Sequence, residues 1–150
     1  MHRKAHPTAR PNPADSLACL NLQMLRASHY ILRLYDEAYR RHGLRATQMP
    51  VLGIIARRGP VAIKDIAAET ESERSVMSRK LQVMETNGWI REDQGSSGKE
   101  KAFVLTVTGR RLMHRIMPVR AEVQARILRG LSRPEQDLLL SLCRKLQGAA

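Results

Sequence analysis

Apolar residues recur at helical spacing over most of the chain, beginning with its first long segment. From Ser16 to Gly43, apolar or small residues stand every three or four positions without an intervening proline or glycine. A second apolar stripe occupies another side of the same helix, at Leu22, Leu25 and Leu32. This helix is apolar around too much of its circumference for a plain surface helix. It is therefore predicted to pack both on its own domain and on a second chain.

Three shorter helical segments follow the first one. Thr47 is predicted to cap a helix that has Pro50 in its first turn and ends at Gly59. Two further short helices are separated by residues 70–73, and the second of them ends at Gly88. Two short helices joined by such a turn are a candidate helix-turn-helix.

A hairpin and two more helices complete the pattern. The strand-like runs "WIRED" and "KAFVLTV" flank the polar stretch "QGSSGKE", which predicts a hairpin placed as a wing after the candidate recognition helix. From Thr108 the spacing is helical again, and "SRPE", from Ser132 to Glu135, is the capping box of a last helix. The predicted fold is mainly α-helical with a small β-hairpin wing, a winged helix-turn-helix between long terminal helices.

Composition agrees with a single helical domain. Of the 150 residues 43% are apolar but only 3% are aromatic, so aliphatic side chains and seven Met must fill the core. Residues 1–15 contain three of the seven prolines and are predicted to be a disordered basic tail. Residues 16–150 are predicted to form the domain, with its structure beginning near Asp15 or Ser16.

The charge balance indicates a polyanionic partner. Lys and Arg number 26 against 14 Asp and Glu, for a formal net charge of +12 at pH 7. Nucleic acid and an anionic membrane surface both fit this charge. No apolar run is long enough to span a membrane, and no apolar segment with a small-residue cleavage site follows the basic N-terminus, so neither membrane insertion nor secretion is expected. A cytoplasmic protein with reduced thiols is therefore expected.

The second helix of the candidate helix-turn-helix has one face suited to base edges and phosphates. Opposite its apolar stripe lie Ser75, Ser78, Arg79 and Gln82. Arg can pair in a bidentate manner with guanine, and Gln with adenine. A solvated amphipathic face is the alternative, and only the position between a turn and a hairpin favours the functional interpretation.

Charge is distributed unevenly along the chain. Residues 109–133 hold seven Arg and one Glu, a net +6. The first of these arginines are predicted to lie near phosphate, and a solvated helix face is the alternative for the whole set. Residues 64–73 hold one Lys and four acids, a net −3. Glu69, Glu71 and Glu73 are predicted to lie at helix ends and in the turn, where they offset helix-dipole charge and pair with Arg74 or a neighbouring lobe.

Three stretches resemble the core of the MarR family of bacterial transcription regulators: "LRATQMPVLGIIARRGPVAIKDIA", "SERSVMSRKLQVMETNGWI" and "VLTVTGRRL". The resemblance covers roughly residues 16–147. It implies a homodimer joined by residues 16–45 and 109–150, a DNA-binding lobe at residues 46–108, and repression from a pseudo-palindromic operator in double-stranded DNA. The residues that would enter the major groove are Arg74, Ser75, Ser78, Arg79 and Gln82.

The predicted wing departs from the family pattern. Members commonly carry Asp-x-Arg or Asp-Arg-Arg before the second strand, whereas "SSGKEK" has no arginine or aspartate at the tip. Lys99 and Lys101 supply charge but not the planar fork of Arg. Attraction to phosphates is therefore expected there in place of minor-groove reading.

The resemblance also implies a small, often aromatic or phenolic effector between the dimerisation helices and the DNA-binding lobe. The predicted lining, with ordinary packing as the alternative, is His29, Tyr30, Arg33 and Met49. Cys19 stands at a position similar to the reactive cysteine of the family's organic-hydroperoxide sensors, and Cys143 could form a disulfide across the dimer. Packing of both thiols on apolar helix faces is the alternative.

No catalytic, metal or cofactor site is predicted. The five His lack metal-ligand spacing, and no phosphate loop, nucleophile elbow or paired carboxylates occur. A repressor released by a small molecule is the first hypothesis. Three alternatives remain: a redox-sensing regulator that uses Cys19, a winged-helix module for protein interaction, and a non-specific nucleoid-type binder.

Overall fold

A computed structural model describes residues 19–95 and 101–148 of the chain. Within these residues the fold is mainly helical with a small antiparallel sheet, which confirms the predicted class. The elements are α1 (Leu20–Tyr39), α2 (Met49–Arg58), β1 (Val61–Ala62), α3 (Ile63–Glu69), α4 (Arg74–Thr86), β2 (Ile90–Glu92), β3 (Ala102–Leu105), α5 (Val107–Leu128) and α6 (Arg133–Leu146). The predicted tail (residues 1–15), the predicted helix start near Ser16 and the wing residue Lys99 lie outside the described residues.

The connection from α1 to α2 differs from the sequence prediction. Thr47 does not cap α2, because it lies inside a 3₁₀ turn and Gln48 is the N-cap residue. The buried Gln48 side chain accepts a hydrogen bond from the Arg45 backbone nitrogen at 2.9 Å. The Asp36 carboxylate on α1 accepts another from the Ala46 nitrogen at 2.7 Å. The first bond closes the 3₁₀ turn on itself, and the second fastens this turn, and so the start of α2, to α1.

The core lies where α1, α2, α4 and α5 meet the sheet. Helix α4 contributes Met77, Leu81 and Met84, all buried as their spacing predicts. The other large side chains at the centre are Tyr39, Leu52, Ile55, Ile66, Ile90, Leu112 and Ile116. Burial, with a smaller contribution from Tyr35, raises the pKa of Tyr39 to about 12. The phenol is therefore held neutral.

The sheet has one strand more than the predicted hairpin. Strand β3 lies in the middle and pairs antiparallel with β2 and with the two-residue strand β1. Phe103 is the partner of Val61 on one side and of Glu92 on the other. A two-residue strand shows no alternation in the sequence, so β1 could not be predicted. It joins the segment after α2 to the base of the wing.

The start of α5 is fixed against the end of α4. The Trp89 carbonyl accepts a hydrogen bond from the Thr106 nitrogen at 3.0 Å. The Thr106 hydroxyl donates to the Gly88 carbonyl at 2.6 Å and accepts from the Gly109 nitrogen at 3.0 Å, so it caps α5. A Cβ atom added at Gly109 would stand 2.0 Å from the Trp89 oxygen. Only glycine permits this close approach. The hydrogen bonds of Thr106 and the lack of space at Gly109 explain the threonine and the glycine of the "LTVTG" stretch.

The helices at the two ends of the described chain leave apolar side chains exposed. The predicted capping box of α6 is present, since the Ser132 nitrogen donates to the Glu135 carboxylate at 2.7 Å. Hydrogen bonds from Ser132 also lower the pKa of Glu135. No residue of α6 is buried. The exposed apolar residues of α1 and α6 include Leu20, Met24, Leu25, Leu138, Leu139, Leu142 and Leu146.

None of the helices within residues 19–95 and 101–148 combines the length and the apolar character needed to cross a membrane.

Replacement of Gly109 by Ala should lower the free energy of unfolding by about 3 kcal/mol, the upper end for overpacking, because a backbone carbonyl blocks the new methyl group. Gly53→Ala is the matched control. Gly53 lies inside α2, and its added Cβ would meet no atom within 4 Å, so a gain of about 0.5–1 kcal/mol is expected. Urea denaturation followed by circular dichroism measures both. Equal effects of the two substitutions would contradict the described junction.

Candidate nucleic-acid interface

The turn between α3 and α4 sets the direction of α4. The Ser72 nitrogen donates to the Ala67 carbonyl at 2.8 Å, and the Thr70 hydroxyl donates to the Ile66 carbonyl at 2.8 Å. Glu71 has φ 48°, the left-handed region that L-residues seldom adopt. Among the described residues it is the one non-glycine residue with positive φ. The turn is thus tightly specified by backbone and hydroxyl hydrogen bonds.

The outer face of α4 presents the side chains that the sequence predicts. Ser75, Ser78, Arg79 and Gln82 are all exposed, and in the described part of the chain their side chains make no hydrogen bond or salt bridge. Arg74, the first residue of α4, is exposed as well. Because the opposite face is buried in the core, this outer face can enter a groove without disturbing the packing.

The acid at the end of α3 is neutralised by α2 rather than by α4. Glu69 forms salt bridges with Arg57 and, at 3.3 Å, with Arg58. Arg74 or a neighbouring lobe was the predicted partner, whereas the observed arginines lie 12 and 11 residues before Glu69 in the chain. Glu71 and Glu73 are exposed around the turn. The negative charge therefore lies beside α4 and not on its outer face.

The base of the wing holds one of the two predicted lysines. Lys101 forms a salt bridge with Glu92 on the neighbouring strand at 2.9 Å, and this hydrogen bond raises the pKa of Lys101. Both side chains are largely open to solvent, so the pair is expected to contribute little stability. Part of the positive charge at the wing base is consequently offset.

Exposed basic residues continue from the wing into α5. Arg110 donates from Nη1 to the Leu105 carbonyl at 2.9 Å, which turns it back towards the wing base. Arg111, His114 and Arg115 are exposed on the following turns and line one shallow groove with Arg110. This surface provides positive potential next to the wing, as the charge pattern of the sequence predicts for the first arginines of this segment.

The four predicted effector residues do not meet in one cavity of the described chain. His29 and Arg33 line a shallow cleft along α1, whereas the buried Met49 lines a different cavity. Tyr30 is exposed on α1, with the Arg33 guanidinium 5.5 Å from the centre of its ring.

The cavity at Met49 lies between α1, α2, α5 and the helix-turn-helix. Its volume is about 780 Å³, and its walls include the apolar side chains of Leu32, Pro50, Ile54, Met113 and Met117. Three cationic residues, Arg57, Lys80 and Arg120, and one acid, Glu69, also line it, together with Thr70 and Ser72 of the turn. This set could not be predicted from the sequence, because its cations come from three different helices.

The two cysteine thiols lie on different helices. Cys19 is the N-cap residue of α1 and Cys143 lies on α6, and both are free and half-buried. No cluster of three or more His, Cys, Asp or Glu side chains able to hold a metal ion occurs within residues 19–95 and 101–148.

Known proteins are similar to this chain in sequence. The family model described as "MarR family" matches residues 42–100. The regulator YkoM of Bacillus subtilis (strain 168), described as an uncharacterized HTH-type transcriptional regulator, is 30% identical over 105 residues. That alignment covers 69% of this chain and 68% of YkoM.

Solved structures share the fold. A MarR variant from E. coli in complex with operator DNA superposes with a TM-score of 0.80 at 17% identity, covering 87% of this chain and 94% of that one. BpsR of Bordetella bronchiseptica, whose DNA binding is described as regulated by 6-hydroxynicotinic acid, gives a TM-score of 0.80 at 18% identity. The match covers 91% of this chain and 99% of BpsR. At these identities the superpositions establish the common fold.

Proposed function

Because the chain belongs to the MarR family of transcription regulators, we propose that it is a homodimeric repressor that binds a pseudo-palindromic operator and is released by a small organic acid. The proposal rests on the outer face of α4, where four exposed side chains make no hydrogen bond or salt bridge within the described chain: Ser75, Ser78, Arg79 and Gln82. Members of this family regulate transcription, and no catalytic step is part of the proposal. The proposed place of action is the cytoplasm.

Recognition of the operator would divide between base edges and phosphates. Arg79 and Gln82 are suited to bidentate pairs with guanine and adenine in the major groove, while Ser75, Ser78 and Arg74 would hold base edges or phosphates. Lys99 and Lys101 would add attraction to phosphates at the wing. Salt-dependent affinity would come from these lysines and from the arginines at the start of α5.

Two chains are needed for a pseudo-palindromic site. The exposed apolar residues of α1 and α6 support a dimer joined by residues 16–45 and 109–150, since a large apolar surface on a chain marks a surface that a partner covers. Residues 46–108 would then form one DNA-binding lobe per chain. A two-fold axis between the lobes places two copies of α4 against two half-sites.

The cavity at Met49 is the proposed effector site. Its three cations against one acid favour an anionic ligand, and its apolar walls favour an aromatic ring. A ligand there would contact the helix-turn-helix through Thr70, and would compete with Glu69 for Arg57. The ligand would release DNA if it bound the DNA-binding dimer less tightly than a second dimer conformation, in which the spacing of the two α4 helices does not match the half-sites. Of the four effector residues predicted from the sequence, Met49 is the one that lines this cavity.

Arg79→Ala should weaken binding to the operator more than binding to random DNA, because it removes a base contact worth about 1–3 kcal/mol of discrimination. The measurement is affinity for the DNA upstream of the chain's own gene and for a scrambled duplex, at one fixed salt concentration. Arg126→Ala is the control, since it also removes one exposed positive charge but lies near the far end of α5.

Two outcomes would contradict the proposed repressor function. Equal affinity of the unsubstituted protein for both duplexes would indicate a non-specific binder, and binding to neither would favour a protein-interaction module. If Arg79→Ala lowered the affinity for both duplexes equally, Arg79 would contact phosphate rather than a base.

Salicylate should bind the proposed effector site, and its uncharged analogue salicylamide should not, because the ligand's carboxylate is expected to meet the cavity's cations. Arg120→Gln should raise the dissociation constant for salicylate by about tenfold or more, the loss expected for a hydrogen bond between charged groups. Arg126→Gln, on the same helix but outside this cavity, should leave it unchanged. Calorimetric titration provides the constants. Equal binding of salicylate and salicylamide would rule out an anion-selective site.

A further inference from the structure

Two valines stand on the exposed side of α4. Val76 is 52% exposed and Val83 is 50% exposed, although both belong to the helix with the proposed DNA-reading face. At about 100° per residue, positions seven apart differ by roughly 20° around the helix, so the two valines share one line along it. Arg79 lies about 60° to one side of that line. An apolar stripe therefore runs along the edge of the polar face.

The two valines differ in their position along the helix axis. Val76 is the third residue of α4 and follows Ser75 directly, whereas Val83 lies about 10 Å further along. In helix-turn-helix proteins the N-terminal residues of the recognition helix contact the base edges. Val76 is therefore at the end where a short side chain can reach the bases. Val83 lies two turns farther along, beyond the reach of a valine side chain, although the longer side chain of Gln82 beside it can extend to a base.

In the major groove, the apolar group that a base pair offers is the 5-methyl of thymine. We propose that Val76 specifies a thymine in each operator half-site by packing against this methyl group. The contact rests on the proposed function, because it requires α4 to lie in the major groove. The thymine belongs to the same base pair as the base contacted by Arg79 or to the next one, since the two side chains are one turn apart on adjacent sides of α4.

A methyl contact has a signature that a general role of Val76 in folding or phosphate binding lacks. Replacement of dT by dU removes only the 5-methyl group and leaves every hydrogen-bonding group of the base pair in place. Loss of one buried methyl corresponds to about a fourfold loss of affinity. Because Val76 is half exposed on a free helix face, Val76→Ala should fold normally.

The experiment begins with selection of an operator from random duplexes by the full-length protein. Each dT of the selected duplex is then replaced by dU, one position at a time, and the dissociation constant is measured. One position per half-site should show the loss of about fourfold. Val76→Ala should weaken binding to the dT duplex and abolish the difference between dT and dU at that position, while Val76→Ile should preserve it.

Val83→Ala is the matched control, with the same side chain, nearly the same exposure and the same line along α4. It should keep the full difference between dT and dU. The inference is overturned if no position responds to dU, if Val76→Ala keeps the response, or if Val83→Ala removes it. Failure of the proposed function looks different, because the selection itself would then give no consensus sequence.

Discussion

The approach of α5 to the carbonyl oxygen of Trp89 is the contact on which the arrangement of the molecule depends. Gly109 has no room for a side chain there, and Thr106 bonds to Gly88 and Gly109 at the same place. The end of α4, the first strand of the wing and the start of α5 therefore meet at one point. Because α5 continues to the far end of the domain and packs on α1, the direction of the DNA-reading helix is tied to the long helices.

The charged side chains around this junction of α4, the wing and α5 act in two different ways. Glu69 is paired with arginines of α2, so this acid near α4 does not present an unpaired negative charge to a polyanion. The exposed arginines of α5 provide attraction that depends little on sequence. The outer face of α4 carries only a few charged groups, so in the proposed function selectivity would come from hydrogen bonds and methyl contacts. A cavity lined by three cations lies next to the turn, and it is the proposed site of an anionic effector.

Helical periodicity predicted most of the fold because it reports which face of each helix is buried. Met77, Leu81 and Met84 are buried opposite the predicted DNA-reading side chains, and the capping box of α6 is present. Features made by residues distant in sequence were missed: strand β1, the arginine partners of Glu69, and the cations of the effector cavity. Thr47 was predicted as a cap from its residue type, whereas in the structure it lies inside a 3₁₀ turn that runs directly into α2, and the Gln48 side chain bonds to the first residue of that turn.

The central claim is that the junction of α4, the wing and α5 holds the two α4 helices of a dimer at one fixed separation. The most direct measurement is affinity for the selected operator with base pairs inserted between its half-sites. Insertion of five base pairs, about half a helical turn, moves the second half-site to the opposite side of the duplex. Affinity should then fall to that of a scrambled duplex of equal length. Retention of the original affinity would show that the lobes bind independently, and would contradict the account.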